Sequence, residues 1–385
     1  MPSDKIFDKC ARGALIVDLT KVASNVRAIR SIVGPGPMLM AVVKADGYGH
    51  GSYEIAKATL DAGATWLAVA TVEEGLTLRE AGIQAPILLL SPIFEEEMEA
   101  ALQHKLTAPF FSFAACETMS TLATRLGKTA EIHLKIDTGM NRIGFDAQNA
   151  EAVVAEILAI STLPNLHIGG IYSHFASSPD DAAFTNTQFS RFRNILQLLE
   201  EAGLHIPIKH IANSGAVLNH PECRLDMVRC GILLLGMAPC STPSGAAKLK
   251  DLGFKPASTL KSRVSQVKTV KKGESVGYSR KYYAEEDITV VTIPIGYADG
   301  ISRQLSSKGK ALINGHVCDI IGRVCMDQLM INATDANPTL GDDVIFIGQS
   351  GDKHISAEDI AQLQGTVNYE VSTSLSLRIA KQYVR

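Results

Sequence analysis

The strongest chemical signal in the chain is a lysine. Lys44 closes an apolar run over residues 37–43 and is followed by Ala45-Asp46-Gly47-Tyr48-Gly49-His50-Gly51. The run is short and lacks apolar/polar alternation, as expected of a strand covered on both faces. Burial at its end disfavours an ammonium and lowers the pKa, leaving an amine suited to attack on a carbonyl. The same residues also fit a lysine that merely snorkels from a strand end. The glycines that follow do not decide between the two. Ser52 interrupts G-x-G-x-x-G, and no P-loop pattern is present. Cysteine chemistry is thin: the seven thiols, at 10, 116, 223, 230, 240, 318 and 325, contain no C-x-x-C pair. Neither a disulfide framework nor a structural zinc is expected, and no metal is assigned. Cys325 has no evident paired base and reads as an inert thiol.

The elements that must position Lys44 alternate in type. Short apolar runs at 37–43, 66–70, 86–90, 107–111, 131–137, 167–173, 209–213 and 227–230 read as buried parallel strands. Between them lie amphipathic stretches such as 54–62, 73–81, 95–104, 113–126, 147–160 and 185–202. Glycines 63, 82, 127 and 203 stand where helices would end. Eight such units fit a (β/α)8 barrel of about 250 residues, with a doubly wound sheet as the rival on counting alone. In a barrel, Lys44 lies at the C-terminal mouth, where catalytic groups sit.

The texture changes near residue 245. Residues 241–255 read as a Pro/Gly/Ser/Lys linker, and 258–270, 288–295, 311–324, 328–333 and 344–347 as runs of a mainly antiparallel β domain. Asn314-Gly315 between alternating runs predicts a hairpin. The expected organisation is α/β: an N-terminal segment (1–13), a strand (14–19) that joins the C-terminal domain, an N-terminal (β/α)8 TIM-like barrel (20–245) and a C-terminal mainly-β domain (246–385). The length, 385 residues, suits about two domains at roughly 150 residues each. The charge balance is 37 basic against 40 acidic residues, net −3, which offers no field for nucleic acid or an anionic membrane. With no apolar stretch of membrane-spanning length and no signal-like start, a cytoplasmic chain is expected.

Further segments follow Val43-Lys44-Ala45-Asp46-Gly47-Tyr48-Gly49-His50-Gly51 in order: Lys135-Ile136-Asp137-Thr138-Gly139-Met140-Asn141-Arg142-Ile143-Gly144, Ser173-His174-Phe175-Ala176, Ala212-Asn213-Ser214 and Met227-Val228-Arg229-Cys230-Gly231-Ile232. Beyond the barrel come Ile295-Gly296-Tyr297-Ala298-Asp299-Gly300 and Gly322-Arg323-Val324-Cys325-Met326-Asp327-Gln328. Together these segments, spread over nearly the whole chain, resemble the alanine racemase family. The resemblance implies a barrel plus a β domain, a homodimer with composite active sites, and pyridoxal 5′-phosphate as cofactor. It also implies interconversion of L- and D-alanine by two bases, a small amino-acid substrate, and a role in supplying D-alanine for peptidoglycan.

Carried over by position, the resemblance makes Lys44 the lysine that holds the cofactor and one catalytic base. Tyr278 is the second base, supplied by the other subunit. Racemisation removes a proton from one face of the α-carbon and returns one to the other, so two groups on opposite sides are needed. Arg229 would face the pyridine nitrogen; a guanidinium can only donate. His174 would link Arg229 to the tyrosine. Tyr48, Asn213, Ser214, Gly231 and Ile232 are the remaining cofactor-binding positions. Arg142 and Met326 are the substrate-binding ones, with Lys135, Tyr297 and Asp327 in support, and Lys135 matches a lysine often carbamylated in the family. Where many relatives carry a further phosphate-binding tyrosine, Leu377 stands here.

Overall fold

The structure, a computed structural model, describes residues 12–385. All but the last two residues of the expected segment 1–13, and Cys10 with them, lie outside the described residues. The chain divides into two compact units. One holds Ala23–Gly47 and Ser52–Leu234; the other holds the described residues up to Val22, Tyr48–Gly51 and Leu235–Arg385.

In the first unit eight parallel strands form a nearly closed barrel: Met38–Val42, Trp66–Val69, Ile87–Leu89, Leu106–Phe110, Ala130–Asp137, Leu166–Tyr172, Ile208–His210 and Met227–Cys230. They pair in chain order, and the last pairs with the first, Arg229 beside Met40. The seam between the seventh and eighth is drawn together by Asp226 N–H donating to Lys209 O at 3.1 Å and Arg229 N–H to Ala212 O at 3.0 Å. Each strand is short because both faces are covered, and Leu39, Ala41, Leu67, Ile87, Ile132 and Leu134 are all fully buried.

Helices between the strands start at side-chain caps. Thr71 accepts from Glu74 N–H at the head of Val72–Glu80, and Ser112 from Ala115 N–H at the head of Phe113–Arg125. These bonds satisfy amides that a helix cannot pair internally.

The second unit is built on a ten-stranded sheet, antiparallel except where Gly13–Asp18 lies beside Ala380–Val384. Gly13–Asp18 also pairs with Ser258–Arg263. Asn314 (φ 49°) and Gly315 (φ 80°) make the two-residue turn joining Lys310–Ile313 to His316–Ile321. Among the described residues no helix is long and apolar enough to cross a membrane.

Three stretches differ from the sequence expectation. The 241–255 linker contains a helix, Pro243–Asp251. Thr242 caps it, Pro243 fits its first turn, Lys248 and Lys250 stand in its last turn, and Leu249 buries its one apolar anchor. The 258–270 run is two strands, because the chain changes partners at Val264-Ser265. Ser258–Arg263 pairs with Asp343–Ser350, whereas Gln266–Val270 pairs with Ile288–Ile293. The β domain also carries the helices Ala357–Gln364 and Asn368–Thr373; the first is capped by Ser356 and ended by Gly365.

Candidate active site

Lys44, Arg142, His174, Asn213, Ser214, Gly231 and Ile232 all lie within about five residues after the C-terminal ends of barrel strands. That is the mouth, where a barrel can vary loops without disturbing its core.

The turn after Lys44 is left-handed. Ala45 (φ 50°, ψ 51°), Asp46 (φ 52°, ψ 49°) and Gly47 (φ 62°, ψ 40°) adopt it in succession, and Tyr48 follows at φ 56°. Each non-glycine residue there costs about 1–2 kcal/mol, so the turn must be held. Gly47 N–H donates to Val43 O at 2.9 Å and Ser52 N–H to the Asp46 carboxylate at 2.8 Å. Ala45 N–H donates to Glu74 Oε1 at 2.6 Å. The Lys44 amine is half-buried, and burial pulls its pKa below the usual lysine range. Arg142 lowers it further and Glu74 opposes.

Below the mouth the inner face of the barrel is polar. His133 and Lys135 share one face of Ala130–Asp137, two residues apart. Lys135 registers with Tyr172, and Tyr172 with His210. The Tyr172 ring stacks on His210 at 4.9 Å and lies 5.3 Å from Lys135 Nζ and 5.4 Å from the Arg229 guanidinium. Gly170 makes room for this layer, since a Cβ there would meet the His133 ring at 2.6 Å.

Arg229 is buried. It donates to Ser173 O (2.7 Å), Ile211 O (3.1 Å), His210 Nδ1 (2.9 Å) and His174 Nδ1 (3.2 Å). Burial lowers its pKa to about 10, so it stays charged at neutral pH. Because it only donates, both histidines must accept on Nδ1 and carry their protons on Nε2. His210 Nε2 therefore donates to His133 Nδ1 at 3.0 Å, which puts the His133 proton on its unpaired Nε2. Burial and the Arg229 charge hold all three neutral, His133 down to about 3 and the other two well below the ordinary value. Lys135 is pushed to about 7 by burial and then by Arg229, with Asp137 opposing and Arg142 lowering it further. Its amine donates to Ile136 O at 2.8 Å.

Asp137 shapes the Arg142 loop by accepting from the amides of Gly139 (2.8 Å), Asn141 (3.1 Å) and Arg142 (3.1 Å). Asn213 caps Ser214–Asn219, accepting from Ala216 N–H and the Ser178 hydroxyl. Ser214 Oγ accepts from Gly231 N–H at 3.2 Å, which leaves its own proton to donate. Ile232 is buried beside it in sequence. The barrel thus brings Lys44, Lys135, Arg142, His174 and Arg229 into mutual electrostatic reach.

The other predicted positions belong to the second unit. Tyr48 lies 6.0 Å from the Tyr369 ring, centroid to centroid. Tyr278 sits on the turn between Ser275–Val276 and Tyr282–Tyr283 and is 69% exposed. Tyr297 and Met326 are exposed on two loops joined by Tyr297 N–H to Cys325 O and Ala298 N–H to Met326 O, both 3.0 Å. Asp327 pairs with Arg378 at 2.8 Å, and Arg378 reaches the buried Asp299 at 3.1 Å. Leu377 is 97% exposed. Burial raises the Cys325 thiol above its ordinary value, in line with an inert group.

Comparison with known proteins agrees with this fold. Residues 17–239 match the family model for the alanine racemase N-terminal domain, and residues 257–383 that for the C-terminal domain. The chain belongs to the alanine racemase family. It is a racemase, with the barrel and β domain of that family. An alanine racemase of Clostridium perfringens is 41% identical over 380 residues, covering 98% of this chain and 97% of that one. The solved alanine racemase of Bacillus anthracis with bound L-Ala-P is 34% identical, with a TM-score of 0.89 over 97% of this chain and 95% of that chain. A Bartonella henselae alanine racemase with covalently bound pyridoxal phosphate is 30% identical, with a TM-score of 0.85 over 97% of this chain and all of that one. Four polar residues bonded or packed against the candidate site residues escaped the sequence reading: Glu74, His133, Tyr172 and His210. Only Glu74 left a signal, the Thr71-Val72-Glu73-Glu74 capping pattern. The others are single polar residues inside apolar runs, and their partners are remote in sequence.

Proposed function

We propose that this chain interconverts L- and D-alanine using pyridoxal 5′-phosphate, with Lys44 and Tyr278 as the two bases. The observation that carries the reading is Lys44 itself: an amine of lowered pKa on a held left-handed turn at a barrel mouth lined by Arg142 and Arg229.

The donor set fits an anionic pyridine cofactor. Among the described residues, Lys44, Lys135, Arg142 and Arg229 make no ion pair with a carboxylate, so the site is rich in positive charge and open to an anion. The Ser214 hydroxyl, Tyr48 and the amides of Ser214 and Ile232 would hold the phosphate, with the Gly231 amide orienting Ser214 Oγ and Asn213 fixing the turn that carries Ser214. When bound, the cofactor supplies a conjugated ring that acidifies the α-proton of an attached amino acid.

The protein's part is to hold and move protons. Arg229, charged and fixed by two carbonyls and two histidines, would donate to the cofactor's ring nitrogen; as a group that only donates it would favour the unprotonated ring, which suits proton exchange over side reactions. Arg142 binds the substrate carboxylate. Lys135, whose neutral amine is well populated near pH 7, could take up carbon dioxide and become the anion that positions Arg142. His174, neutral and accepting from Arg229 on Nδ1, would donate from Nε2 to the tyrosine base. Lys44 exchanges the α-proton on one face and Tyr278 on the other.

The exposure of Tyr278, Tyr297 and Met326, with Asp327 beside them, supports a homodimer in which each copy completes the other's site. We place the enzyme in the cytoplasm and its D-alanine in peptidoglycan supply.

The test incubates the full chain with pyridoxal phosphate and L-alanine, follows optical rotation, and maps the borohydride-fixed label. Racemisation with the label on Lys44 is expected. Evolution of carbon dioxide from lysine or ornithine, without racemisation of alanine, would instead make it a barrel-type decarboxylase. A screen across L-amino acids reads the substrate range, since each methylene is worth roughly 1–3 kcal/mol of discrimination.

A further inference from the structure

We propose that Glu74 is the positioning residue of Lys44: its carboxylate fixes the left-handed turn that presents the amine, and its charge acts on that amine. The inference rests on the reading of Lys44 given above.

Glu74 is the third residue of the helix Val72–Glu80, where a glutamate ordinarily reaches back to the cap residue's own amide. Here that bond is the weakest the carboxylate makes, 3.4 Å to Thr71 N–H. Its two short bonds, both 2.6 Å, leave the helix. One oxygen takes Ala70 N–H, at the end of the second barrel strand, and the other takes Ala45 N–H, directly after Lys44. A helix cap needs neither of these bonds. One rigid carboxylate thus ties the ends of two neighbouring strands together at the residue that must hold an unfavourable backbone conformation.

Charge points the same way. The groups acting on the amine are Arg142, from the loop after Ala130–Asp137, and Glu74; the Lys44 charge is also felt at His174, which is neutral. Asp46 is adjacent, but its carboxylate is turned to Ser52 N–H. Glu74 is therefore the acid that opposes burial and Arg142. Removing its charge should make Lys44 neutral at lower pH.

The experiment strips the full-length chain of carbonyl ligands with hydroxylamine. It then measures, against pH, the rate at which pyridoxal phosphate is fixed on Lys44 by borohydride. In Glu74→Gln, which keeps an acceptor for Ala45, the midpoint should fall by about half a unit or more. In Glu74→Ala, which leaves Ala45 N–H unpaired, labelling should also slow by about tenfold. Thr71→Ala is the control for helix capping, and it should lower the melting temperature while leaving the midpoint in place. If Glu74→Gln keeps the wild-type midpoint, or Thr71→Ala shifts it equally, Glu74 is only a capping residue and the inference is overturned. If wild-type chain takes no label at Lys44, the reading of Lys44 itself falls, a result distinguishable from both. Glu74→Gln decides the matter even if Glu74→Ala fails to fold.

Discussion

The barrel and the β unit hold their candidate site residues in opposite ways. In the barrel, Arg229, His133 and His210 are buried and bonded to partners on other segments, and Lys135 is buried with its amine bonded to Ile136 O of its own strand. Their protonation states follow from that burial. In the β unit, Tyr278, Tyr297 and Met326 stand in the open, and what is fixed is the backbone beneath them. Gly296 is the clearest case: a Cβ there would meet Cys325 O at 2.2 Å and Met326 O at 2.5 Å, so only glycine lets the two loops join. The barrel prepares chemistry by desolvation, which sets pKa values and tautomers. The β unit instead fixes a backbone that leaves its side chains exposed.

That contrast can be broken at three points. The largest effect is expected at Tyr278. Tyr278→Phe should cut turnover by about 10³-fold, within the usual range for one acid–base group. The loss should be selective for one direction of proton exchange, while cofactor binding and melting temperature stay unchanged. A large drop in melting temperature would mean that Tyr278 is structural and would remove the contrast.

The second point is Lys135, where desolvation carries a stability consequence. Its folded pKa, about 7, lies below the ordinary lysine value of 10.5. Between those values the unfolded chain binds the extra proton, so folding stability should rise with pH across that window, by up to about 1.4 kcal/mol per unit. Lys135→Met should flatten this slope in urea melts taken from pH 7 to pH 10. An unchanged slope would show that the amine is not buried neutral.

The smallest effect is expected at Leu377. Because its side chain is almost wholly exposed, Leu377→Tyr should change stability by less than about 0.5 kcal/mol. If the position still lies on the phosphate side, the same change should tighten pyridoxal phosphate binding in an equilibrium titration. Equal affinity would place the residue outside the site.

Much of this was legible in residue order. The eight apolar runs are the eight barrel strands, because a strand buried on both faces must be short and continuously apolar. Asn314-Gly315 marked its hairpin because few other pairs reach positive φ at both positions. Lys44 was legible as chemistry because a lysine closing such a run is desolvated by the run itself. The 243–251 helix was not, because glycine, proline and serine dominate its start and its one apolar anchor is Leu249. The 258–270 break was not, because alternation continues smoothly through Val264-Ser265 while the pairing partner changes.

Local pattern therefore determined which segments are strands, where the barrel mouth falls and which lysine stands at it. Only the tertiary structure decided that Arg229 is buried among carbonyls and histidines, that those histidines are neutral with protons on Nε2, and that Glu74 reaches past its own helix to Ala45. The reason is physical. Strand identity depends on neighbours along the chain, whereas a pKa, a tautomer or a held turn depends on groups tens to hundreds of residues away that meet only when the barrel closes.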